Sequence, residues 1–237
     1  MDNLLKTENV DLRSFYKIGA YAALLQLGSI LVLLLVGVFV GSKPATAEEY
    51  FAIHESSRFA AIMRGDFLLL FLIGAYLGTF PALYLALRPI NHVAVFFATL
   101  FTFIVVINIF ATESTFALLY LGNQYAMAVG EAEKIRIITA AEAIIAADMW
   151  HSTAAYTGGI FCQGSGVVIS IVMLRSKDFS KITAIAGLTG NALDLIQHIV
   201  HPFMVDFSAF IHPIMGIFYV VWFPMLAWDF FRLAKKY

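Results

Sequence analysis

After Lys17 the chain carries no charged side chain until Lys43. A stretch of that length and apolarity constrains the fold more than any motif. It is long enough to cross the hydrocarbon core of a bilayer as a helix, and in hydrocarbon the backbone must satisfy its own hydrogen bonds. The pattern recurs, and it predicts an all-α, polytopic membrane protein with six transmembrane helices in a single domain, residues 1–237. The predicted spans are about 18–41, 66–87, 92–121, 150–174, 182–203 and 213–231. The first run is too long, and lacks the small-residue exit, to be a cleavable signal peptide. Composition agrees: 61% of residues are apolar and 13% charged, against roughly 45–50% and 25% in soluble domains.

Between the spans the chain punctuates itself. Gly41-Ser42-Lys43-Pro44 ends the first. Residues 45–65 mix Glu48, Glu49, His54, Glu55, Arg58 and Arg64 with Tyr50, Phe51, Ile53 and Phe59, which predicts an amphipathic helix lying on the membrane surface. Pro81 predicts a kink in the second span. Arg88-Pro89-Ile90-Asn91 reads as a tight turn. Residues 122–137 read as a connection, with a helix starting near Glu131. A short interfacial helix is expected at 12–16, and a turn at Asp206–His212.

Ten basic residues flank one side of this topology (Lys6, Arg13, Lys17, Arg88, Arg175, Lys177, Lys181, Arg232, Lys235, Lys236) and five the other (Lys43, Arg58, Arg64, Lys134, Arg136). By the positive-inside rule both termini are cytoplasmic, and a prokaryotic plasma membrane is the expected location. A net charge of −1 suggests no nucleic-acid partner. The lone cysteine, Cys162, excludes an internal disulfide and a cysteine-rich metal cluster. The partners expected are the bilayer, a lipid or other hydrophobic ligand, and another membrane protein or a second copy of the chain.

The polar residues of the fifth span are not scattered. At about 100° per residue, Thr183, Gly187, Asn191, Asp194, His198 and His201 share one face roughly 80° wide. Such a stripe is costly in lipid and is expected to face the bundle interior. On the fourth span Asp148, His151, Ala155, Gly158, Cys162 and Gly166 share a face, and its small residues allow close helix approach.

Three functional classes follow. The first is a non-catalytic binding or assembly subunit, which needs only the hydrophobic bundle. The second is a zinc-dependent, lipid-active hydrolase. In it His151, Asp194, His198, His201 and His212 are the candidate metal ligands, because imidazole and carboxylate bind Zn²⁺ where cysteine is absent. Asp148 and Glu113 are then the candidate general bases acting on a zinc-bound water. The third is a small-solute or proton-coupled transporter, suggested by the polar stripes. Glu142 reads as solvated, and Asp229 with Arg232 as a helix-end pair.

Several short motifs, Leu87-Arg88-Pro89-Ile90-Asn91, Trp150-His151-Ser152, Leu174-Arg175-Ser176 and Ile185-Ala186-Gly187-Leu188-Thr189-Gly190, come in an order that resembles the prokaryotic six-span family catalogued as domain of unknown function 4386. The resemblance implies the six-span fold and no particular activity.

Overall fold

A computed structural model describes residues 11–65, 67–147 and 151–237. The described residues are helical throughout: α1 Leu12–Val40, α2 Ala47–Ser56, α3 Arg58–Arg64, α4 Phe67–Gly74, α5 Tyr76–Thr112, α6 Thr115–Met127, α7 Glu131–Ala146, α8 Thr153–Leu174, α9 Lys181–Val200 and α10 Val205–Lys236. Among the described residues four helical stretches are long and apolar enough to cross a membrane: Leu12–Val40, Phe67–Met127, Thr153–Leu174 and Val205–Lys236. The protein is therefore an all-helical integral membrane protein.

Local sequence explains most boundaries. Asp11 caps α1 by accepting from the Ser14 amide at 3.0 Å, so the interfacial helix expected at 12–16 is instead the first turn of α1. α1 ends where Gly41 adopts φ +100°, a conformation that costs other residues far more. Within α5, Asn91 leaves the helical region (φ −152°, ψ 87°), two residues after a proline that supplies no backbone donor. The Asn91 carboxamide then accepts from the Ala94 amide at 3.1 Å and starts the second half as an N-cap. The chain folds back at this point. Tyr84 Oη lies 3.4 Å from His92 Nδ1, and a side chain at Gly74 would meet the Phe110 ring. The expected turn at 88–91 is thus a capped break inside one long helical stretch.

Two boundaries differ from expectation. The third apolar run does not continue to residue 121; it breaks at Glu113, which is extended (φ −64°, ψ 133°). Its carboxylate accepts from the amide of Thr115 at 2.7 Å and from the Thr115 hydroxyl, closing one helix and opening the next. Conversely, Asp206–His212 is no turn but the first two turns of α10, which runs on through Pro213 and Pro224. Proline is tolerated inside membrane helices where neighbouring helices re-satisfy the freed backbone groups.

The bundle closes as a ring in which α1 packs on α10, α10 on α9, α9 on α8, α8 on α5 and α5 back on α1. A second, smaller core unites α2, α3, α6 and α7 around Ala47, Tyr50, Phe51, Ala61, Leu118, Ile137 and Ala141. The expected single helix at 45–65 is split at Ser57, whose hydroxyl caps α3. Phe51 stacks on Tyr125 with ring centres 4.6 Å apart. Glu142 is not merely solvated, since its Oε1 accepts from the Ala47 amide at 2.6 Å, placing a carboxylate at the positive end of α2.

Candidate functional site

The polar stripe of α9 faces inward. Thr183, Gly187, Asn191, Asp194 and His198 are all buried, and His201 is half-buried at the helix end. What lets them in is the neighbouring helix. A β-carbon added to Gly159 of α8 would lie 2.0 Å from His198 Cδ2, and one added to Gly166 would lie 2.0 Å from Asn191 Oδ1. The two glycines and the two polar residues are each seven positions apart, and the helices run antiparallel, so each glycine forms a slot for one side chain. Below them, Ser170 Oγ and Trp222 Nε1 close over Gly187.

Between the two slots sits Asp194, 7% exposed. One carboxylate oxygen, Oδ1, is 3.1 Å from His198 Nδ1, which also lies 3.0 Å from the Asp194 carbonyl. The other, Oδ2, accepts from Tyr219 Oη of α10 at 2.8 Å. The same hydroxyl lies 3.0 Å from Gln163 Oε1 of α8 and 3.4 Å from Asn191 Oδ1. Behind it Cys162 and Tyr76 of α5 are buried in the same core. Four helices thus meet around one carboxylate. Tyr219 and Gln163 were not among the residues expected from sequence; the only signal for Gln163 is its place on the α8 face beside Cys162.

The remaining candidates are distributed differently. His201 Nδ1 and Ser208 Oγ are 2.9 Å apart, and Gln197 Nε2 donates to His212 Nδ1 at 3.1 Å. These four residues, with Val205, Ala209 and Pro213, line an open cleft of about 320 Å³ between α9 and α10. His151, at the start of α8, has its ring centre 6.4 Å from that of His201. The structure therefore separates His198, turned into the bundle toward Asp194, from His201 and His212, turned into the cleft. Glu113 is engaged by Thr115. Asp148 lies outside the described residues. Among the described residues no three His, Cys, Asp or Glu side chains converge as a metal site.

A second buried carboxylate anchors the opposite end of the seam. Asp229 of α10 accepts from the Ser180 amide at 2.9 Å and from Thr183 Oγ1 at 2.5 Å, while Arg232 lies 2.9 Å from its other oxygen. The helix-end pair expected from sequence is present, and its carboxylate also holds the start of α9, whose own cap is Ser180. Beside the bundle, in the smaller core, His54 is buried against Gly122. Burial and the nearby Arg58 hold its imidazole below the ordinary value, with a hydrogen bond to Asn123 opposing them. Burial beside Glu113 pushes the Tyr50 phenol up to about 12.

No family model, no curated protein and no solved structure matches the chain.

Proposed function

We propose that this is a non-catalytic, six-span membrane protein that serves as a binding or assembly element of the membrane. The single observation that carries the functional half is the distribution of its reactive side chains. Asp194 is paired with His198 and Tyr219, His201 with Ser208, His212 with Gln197, and Glu113 with Thr115. Groups meant for acid–base or metal chemistry converge on one reacting point; among the described residues these candidates are divided between the buried Asp194 cluster, the cleft of His201 and His212, and the break at Glu113.

The six-span topology is supported by the chain reversal at Asn91, which divides Phe67–Met127 into two crossings, and by the burial of the polar face of α9, which leaves Ile182, Ile185, Ile196 and Ile199 outward. The basic-residue asymmetry then places both termini in the cytoplasm, with α2 and α3 over the outer mouth. Affiliation with the family named above belongs to this proposal, and the Leu87–Asn91 motif at the reversal supports it.

Two measurements test the reading. A reporter fused after Tyr237 is expected to be cytoplasmic and one inserted at 123–130 external; an external C-terminus overturns the topology. Elemental analysis of the purified protein is expected to find no stoichiometric transition metal. One zinc per chain, lost on replacing His198 and His201 with alanine, would put the lipid-active hydrolase ahead. A proton-coupled transporter is the second reading, favoured by the position of the Asp194–His198 pair inside the bundle.

A further inference from the structure

The hydroxyl of Tyr219 is surrounded by more acceptors than it has protons. Asp194 Oδ2, Gln163 Oε1 and Asn191 Oδ1 lie 2.8, 3.0 and 3.4 Å from it, and a phenol donates one hydrogen. The Asn191 carboxamide cannot be turned to help, because its Nδ2 donates to the Gly187 carbonyl at 2.7 Å. Turning the Gln163 amide would satisfy one acceptor and still leave Asn191 Oδ1 without a hydrogen. The His198 ring places its Nδ1 against the other carboxylate oxygen. The groups facing the site from neighbouring helices are Cys162 and Gln163 of α8, Tyr219 of α10, and Tyr76 of α5 behind Cys162. Among the described residues no Lys or Arg pairs with Asp194. Among the described residues the group that can carry positive charge against Asp194 is His198, on the other oxygen; the oxygens on the Tyr219 side are one hydrogen short, in a setting where unmatched polar groups are costly.

The geometry points to a binding site for one monovalent cation, a proton or Na⁺, among Asp194 Oδ2, Gln163 Oε1, Asn191 Oδ1 and Tyr219 Oη. As a proton, it comes from solvent and bonds to Asp194 Oδ2, which then donates to Tyr219 Oη. The hydrogen of Tyr219 turns to Asn191 Oδ1 or Gln163 Oε1, no other covalent bond changes, and release reverses both moves. As Na⁺, the ion takes the place of that proton among the same four oxygens, the ligand type that hard cations prefer. Either form draws α8, α9 and α10 onto one centre. The inference goes beyond the binding or assembly role and rests on the reading of α9 as a membrane span.

The test uses the full chain purified in detergent. If the cation is Na⁺, the melting temperature at alkaline pH rises saturably with NaCl and not with choline chloride. If it is a proton, it is insensitive to Na⁺, and infrared difference spectra between acid and alkaline pH show a protonated-carboxyl C=O band absent from Asp194→Asn. In Asp194→Asn the Na⁺ response also disappears. Tyr219→Phe keeps the carboxylate and the ring but removes one oxygen ligand and the hydrogen bond that favours the charged carboxylate, so it binds Na⁺ about tenfold more weakly or a proton about tenfold more tightly. Should Asp194→Asn fail to fold, the shift in the wild type against Tyr219→Phe decides alone. A wild type silent in both arms, or responses unchanged in the variants, overturns the site. The reporter fusions fail or succeed independently of this result, so the topology is judged separately.

Discussion

Two sides of the bundle use the same small residues for opposite purposes. Where α1 meets α5 and α10, Gly19 and Gly78 admit hydrocarbon: an added β-carbon would strike Ala82 and the Phe230 ring in one case, Ala22 and Ile18 in the other. Where α8 meets α9, Gly159 and Gly166 admit an imidazole and a carboxamide. In lipid, helices gain little from burying apolar surface against one another, so close packing and interhelical hydrogen bonds carry the association. The α1 side relies on the first and the α8–α9–α10 seam adds the second. The seam is therefore where removal of one polar group should be felt most.

The largest expected effect is at Asp194. Asp194→Ala removes the carboxylate that joins the buried His198 to the Tyr219 hydroxyl, and a broken buried pair costs about 3 kcal/mol. Equilibrium unfolding in mixed micelles measures it. The apolar counterpart, Phe230→Leu against Gly19 of α1, removes only packing and should cost about half as much. Equal losses would dissolve the contrast between the two sides.

Next comes the slot itself. Gly159→Ala forces a methyl group to within 2.0 Å of the His198 ring, whereas Gly164, on the same helix, has nothing within 4 Å of an added β-carbon. Overpacking of this kind costs about 2 kcal/mol, so thermal melts should separate Gly159→Ala from a near-neutral Gly164→Ala. If both are neutral, the glycine slots do not set the α8–α9 register.

The smallest effect, confined to the second core, concerns pH. The His54 imidazole is held below its unfolded value of 6.5, first by burial and then by Arg58. The unfolded chain then binds the proton more readily than the folded one. The contribution of His54 to the stability of α2 is retained above 6.5 and lost as pH falls below it. Protection of the α2 amides, taken relative to their intrinsic exchange rates at each pH, should fall on acidification across that value and lose this dependence in His54→Gln. A pH-independent α2 would show that the smaller core does not depend on neutral His54.

Much of this architecture was legible in the residue order. The charge-free runs demanded membrane helices because hydrocarbon offers no partner to a free backbone group, and the structure contains such helices. The periodicity of Thr183, Gly187, Asn191, Asp194 and His198 required a common face, and that face is the buried one. The turn chemistry of Pro89 and Asn91 required a break, and the helix breaks at Asn91. These properties are local: helical pitch, backbone donors and hydropathy act within a few residues of one another.

Partnership was decided only by the tertiary structure. Sequence places His198 and His201 one helical turn apart, but the fold sends the first ring into the Gly159 slot and the second to Ser208. It also selects Tyr219 from ten tyrosines to meet Asp194, and Asp229 to hold the start of α9. Helical periodicity assigns a side chain to a face. Which atom it touches depends on the register and crossing of a neighbouring helix, and those are set by the joint packing of α5, α8, α9 and α10 around one buried carboxylate.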